Sequence, residues 1–188
     1  MRWKLIILGG LAFYVTMTIL DFAVIAPVIH NNLLKAEYKA HSELWRPELN
    51  QEPPDMAGLM KRWVPTGILG AFIMAFVYSR VRPALKGPGW RKGMEGGFWL
   101  GLLNLCFGLL GVAGVFNASD KIWIWWGVCG FVEYMISGAV LGWVGEKVDP
   151  ACTTSYEGKT VGFCCNNCKG KFEAMSATDK KTKVANMK

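Results

Sequence analysis

The residues of this chain best suited to chemistry lie near its C-terminus. Cys152 follows Asp149-Pro150-Ala151, and Cys164, Cys165 and Cys168 follow in Phe163-Cys164-Cys165-Asn166-Asn167-Cys168. Thiolates two or three residues apart can both reach one metal centre, and sulfur suits soft and borderline ions. Cys164 and Cys168 stand at the wider spacing, Cys165 and Cys168 at the narrower, and Cys152 can return to the same place across a hairpin. A bound metal is the favoured reading; a disulfide and inert thiols are the alternatives, and a reducing cytoplasm disfavours the disulfide.

These cysteines need elements to converge them. Glu157-Gly158 supplies a tight turn, Thr160 and Val161 favour a strand, and Lys169 to Met175 reads as a short helix. The expected module, about 147–176, is therefore a β-hairpin followed by a helix. So small a segment has too little apolar surface to fold alone, and the cysteines are its available staple.

Asp149-Pro150-Ala151-Cys152, Tyr156-Glu157-Gly158-Lys159-Thr160-Val161-Gly162-Phe163-Cys164-Cys165-Asn166-Asn167-Cys168 and Lys169-Gly170-Lys171-Phe172 together resemble the YHS domain and the related TRASH-type metal-binding domains. The resemblance covers Asp149 to Met175. It implies that Cys152, Cys164 and Cys168 are heavy-metal ligands and that the ion is copper or zinc. Relative to that family the gap between Cys152 and Cys164 is short, and the module has no histidine. Three thiolates suit Cu(I), whereas Cys165 as a fourth would complete a tetrahedral zinc site, so both ions stay open. Either would supply much of the module's folding free energy.

Before the cysteines the chain is of a different character. Of its 188 residues 52% are hydrophobic, and the mean hydropathy is positive. A helix needs about 20 apolar residues to cross the hydrocarbon core, and four stretches meet that demand, near 5–29, 64–81, 98–116 and 122–144. The expected fold is mainly α: a four-helix transmembrane bundle over 1–146, the cysteine module, and a flexible basic tail over 177–188. The first stretch reads as a retained span rather than a cleaved leader, because Asp21 interrupts it and Pro27 follows its only small-residue cleavage site, at Ala26. Lys86-Gly87-Pro88-Gly89 and Asn117-Ala118-Ser119-Asp120 are the expected breaks between later spans, and a short amphipathic helix is expected in the first loop.

Asp21 and Glu133 fall inside expected spans, where a carboxylate costs roughly 2.5 kcal/mol or more. One reading is a proton or cation relay with His30 or Tyr134 as partner; the other is a carboxyl hydrogen-bonded between helices. His30 and His41, near Glu37 and Glu43, form a poor metal set because no cysteine is close. Cys106 and Cys129 read as small packing residues. Gly97, Gly101, Gly108, Gly111, Gly114, Gly138 and Gly142 make flat helix stripes for close contact between spans. Trp3, Trp45, Trp63, Trp90, Trp123, Trp125 and Trp126 lie near span ends and read as headgroup anchors.

The net charge of +7 reports membrane orientation rather than nucleic acid. An even number of spans puts both termini on one side with Arg80, Arg82, Lys86, Arg91 and Lys92. That side holds 15 of the 21 Lys and Arg, so it is expected to be cytoplasmic. Asp21 to Pro47, with His30-Asn31-Asn32-Leu33-Leu34 and Leu44-Trp45-Arg46-Pro47, together with Gly138-Ala139-Val140-Leu141-Gly142, also resembles a set of small bacterial four-span membrane proteins, which implies a bacterial inner membrane. No phosphate loop, nucleophile elbow or paired-histidine helix is present, so catalysis is not expected. The leading expectation is membrane-anchored capture, sensing or hand-over of copper or zinc. The alternatives are an accessory subunit of a larger membrane complex with a zinc-stapled docking module, and a small cation transporter. The expected partners are the lipid bilayer, the metal ion and other membrane subunits or a metal transporter.

Overall fold

The computed structural model describes residues 2–148, 153–163 and 166–185. The chain divides into two units, Met1–Asp149 and Pro150–Lys188.

The first unit contains four helices long and apolar enough to cross a membrane: α1 (Leu5–Leu33), α3 (Met56–Ala84), α4 (Gly89–Ala113) and α5 (Asp120–Val148). A short helix, α2 (Lys35–Ala40), follows α1. Only 17–28% of each apolar window is buried within the chain. Ile7, Leu11, Val15, Leu69, Ile73, Phe107, Val128 and Val132 are among the large apolar side chains turned outward. An outer surface of this kind is at home in hydrocarbon, and the unit is that of a multi-pass membrane protein.

Helices α1, α3 and α5 run past the stretches expected from hydropathy, whereas α4 starts well before Phe98 but ends at Ala113, short of Phe116. Asp55 caps α3 by accepting from the Gly58 N–H at 3.0 Å, so the helix starts a full two turns before Val64 and carries Pro65 inside it. Helix α4 starts at Gly89, directly after Gly87 in a left-handed conformation (φ 95°) and Pro88. Its first N–H donates to Glu146 Oε2 at 2.7 Å, so the last turns of α5 satisfy a group that the start of α4 cannot pair itself. Thr16 and Thr18 close their hydroxyls on the Ala12 and Tyr14 carbonyls, at 2.8 and 2.9 Å, as a polar group in hydrocarbon must.

Helix α1 widens to π-helical hydrogen bonding over Asp21–Leu33, around Pro27. Proline has no N–H and crowds the preceding turn. The wider winding accommodates it, and Asn32 Nδ2 donates to the Pro27 carbonyl at 2.8 Å.

Helices α4 and α5 make the tightest pairing. A Cβ on Gly93 would overlap the Gly138 carbonyl oxygen, and one on Gly142 would overlap the Gly89 carbonyl oxygen. Gly97, Gly101, Gly138 and Gly142 thus behave as expected, joined by Gly89 and Gly93. Gly108 meets only its own helix at Asn104, and Gly111 has open space around it, so those two are not interhelical contacts within this chain. The main core, Leu5, Phe13, Ala71, Ala75, Tyr78 and Leu141, lies between α1, α3 and α5.

In the second unit, β1 (Thr153–Tyr156) and β2 (Lys159–Gly162) form an antiparallel hairpin, followed by α6 (Asn166–Glu173) and α7 (Ala177–Ala185). The hairpin-plus-helix was expected. Within the segment expected to be a flexible basic tail, Ala177–Ala185 is helical, started by Ser176, whose Oγ accepts from the Asp179 N–H at 3.2 Å.

Candidate functional site

In the second unit, Cys152, Cys164 and Cys165 lie outside the described residues. Cys168 is described: it is the third residue of α6 and half-buried. The turn between the strands puts Glu157 and Gly158 at positive φ, 49° and 76°. Val161 and Phe172 are buried, and the Phe172 ring meets Tyr156 at 5.9 Å and Phe163 at 5.1 Å between centroids. These rings fold α6 back on the hairpin. The Tyr156 hydroxyl donates to the Ala177 carbonyl at 3.1 Å, and Lys180 Nζ to the Glu173 carbonyl at 2.8 Å, which tie α7 to the same core.

The first unit holds a second constellation, where α1 ends and α5 begins. His30 Nδ1 is 2.7 Å from the Tyr38 hydroxyl, and Trp126 Nε1 donates to that oxygen at 2.6 Å. His30 Nε2 lies 3.9 Å from Asp21 Oδ1. Trp45 Nε1 donates to the Tyr38 carbonyl at 3.0 Å, and its ring packs on Tyr38 at 5.4 Å and Trp126 at 5.8 Å. Lys121 and Glu37, 3.7 Å apart, hold α2 against the start of α5. Burial pushes the Tyr38 phenol up to about 12; the Trp126 N–H opposes this, and the Cys129 and Asp21 charges add to it. A phenol that stays protonated needs an acceptor, and His30 Nδ1 is the one at hydrogen-bond distance. His30 therefore carries its own proton on Nε2, facing Asp21.

Glu133 sits near the middle of α5, on the face of that helix that carries Trp126, one turn beyond Cys129. It is 8% exposed, and its Oε1 atom is buried without a hydrogen-bond partner, as is Ser137 Oγ one turn further on. Of the two partners expected for the acids, His30 faces Asp21, while the Tyr134 ring packs edge-to-face with Phe13 at 6.0 Å between centroids.

Other expectations are redirected. His41 lies 4.0 Å from Glu43, but Glu37 is turned to Lys121. No group of three or more His, Cys, Asp or Glu among the described residues could hold a metal ion. Cys106 is exposed, not packed, and Cys129 is half-buried. Trp3, Trp63 and Trp90 are exposed as anchors should be, whereas Trp45, Trp123 and Trp126 close an aromatic cluster. Sequence reasoning did not single out Tyr38 as a functional residue. Its bond to Trp126 joins positions 88 apart, so no local pattern carries it.

No family model, curated protein or solved structure matches this chain.

Proposed function

We propose that this is a bacterial inner-membrane protein with both termini in the cytoplasm, which binds copper or zinc through Cys152, Cys164 and Cys168, with Cys165 available as a fourth thiolate. Its role is capture, sensing or hand-over of the ion at the membrane face, without catalysis, and its partners are a metal transporter or other membrane subunits. The observation that carries the reading is the hairpin register. Thr153 pairs with Gly162, so the chain leading back to Cys152 and the chain leading on to Cys164 leave the same end of the ladder. Cys168 then enters the first turn of α6, which Phe172 folds back on the hairpin. The donor set, thiolates without histidine, suits Cu(I) or zinc. The resemblance to YHS and TRASH-type domains supports the same ligands, and the excess of Lys and Arg on the side of the termini supports the orientation.

The test is the metal content of the full-length protein, purified in detergent under reducing conditions, beside a variant with Cys152, Cys164 and Cys168 all changed to Ser. Near-stoichiometric copper or zinc, lost in the variant, is expected. Equal absence of metal from both proteins after exposure to Cu(I) and Zn(II) would overturn the proposal and favour the accessory-subunit role.

A further inference from the structure

Glu133 poses a problem of chemistry that the cysteine module does not touch. A carboxylate this deep in a membrane-spanning helix, with an oxygen that has no partner, is costly whether lone pairs or charge are counted. Lys and Arg commonly relieve such a group, but no ion pair involves Glu133 among the described residues. Leu5 packs on Gly145 and Gly9 on Leu141, so the antiparallel α1 and α5 bring a second acid, Asp21 on α1, to the level of Cys129, one turn from Glu133.

The groups around the two acids come from three elements. Asp21 and His30 belong to α1, Tyr38 to α2, and Cys129, Glu133 and Tyr134 to α5; α4 meets α5 chiefly through glycines. Two neighbouring carboxyls without a cation are stable when a proton is held at the pair. His30, its tautomer fixed by Tyr38, directs an N–H toward Asp21, leaving Glu133 as the acid without a donor. The side chain of Asp21 is 45% exposed, so Asp21 is the acid of the two that opens to the outside of the bundle. Tyr38, beyond the end of α1, links the cluster to the extramembrane segment.

We propose that Asp21 and Glu133 form a proton-binding site within the membrane-spanning unit, with Glu133 taking up and releasing the proton and His30 and Tyr38 positioning Asp21. The ligand is the proton itself, bound as a carboxyl O–H, and no other species is consumed. The site belongs to the first unit and does not depend on metal at the cysteines.

Infrared difference spectra of the full-length protein in lipid, taken between pH steps, read protonated carboxyls through their C=O stretch. The expected result is a titrating carboxyl band that shifts in protein labelled with [13C]glutamate and is lost in Glu133→Gln. In Asp21→Asn its midpoint should move by about one pH unit or more, as for coupled groups. Labelling leaves the sequence unchanged and tells glutamate from aspartate bands; if Glu133→Gln fails to fold, Glu133→Asp keeps a carboxyl at the position and should make the same band insensitive to glutamate labelling. In the unaltered sequence a titrating band insensitive to glutamate labelling, no titrating band at all, or a midpoint unmoved in a folded Asp21→Asn would each overturn the site.

Discussion

Tyr38 joins two partners through one oxygen, and its ionisation can be observed directly. Its phenol is pushed up to about 12 by burial, against an ordinary value near 10. The folded state thus holds this proton more tightly than the unfolded chain does. The corresponding stability is fully present below about pH 10 and is lost as pH rises through about 12. Ultraviolet titration of the five tyrosines should show a late-ionising component that disappears in Tyr38→Phe. That variant also leaves Trp126 Nε1 and His30 Nδ1 without their shared oxygen, and a loss of about 0.5–1.5 kcal/mol is expected for hydrogen bonds between half-buried groups, measurable by thermal unfolding in detergent. The polar residues Asp21, His30 and Glu133 were legible in the sequence because charge inside an apolar run stands out. Tyr38 was not, since an aromatic residue in a loop of mixed charge has nothing local to mark it.

Among the elements, the pairing of α4 with α5 is the most demanding. The two backbones approach so closely at Gly93 and Gly138 that any side chain at Gly93 must push the helices apart. Gly93→Val is expected to cost about 1–3 kcal/mol or more, as overpacking does, while Gly111→Val, at a position with open space around it, should be nearly neutral within one chain. Melting temperatures of the two variants in the same detergent provide the comparison. Hydropathy found the four spans because length and apolar content are local properties. It misplaced their ends, since Pro65 does not stop α3 and the glycines at the start of α4 serve packing rather than a loop. The same limit explains α7, whose polar residues show no apolar period although it is helical and tied to the hairpin core.

For the whole molecule, the proposed orientation has a direct consequence. Reporter fusions after Lys188 and within the Lys86–Gly89 turn should both show cytoplasmic activity, and one in the loop between α2 and α3 should not; the opposite pattern would reverse the assignment. The sequence by itself determined that the chain crosses a membrane about four times and carries four closely spaced cysteines, because hydrophobic run length and residue spacing are readable along one dimension. It also supplied the two acids within the spans as isolated facts. Only the tertiary structure decided that Asp21 faces His30, that Tyr38 bridges His30 to Trp126, that glycines of α4 lie on glycines of α5, and that Glu133 is left without a partner. The reason is physical: hydrogen bonds and close packing between helices act across tens of residues, and their geometry exists only once the helices have docked.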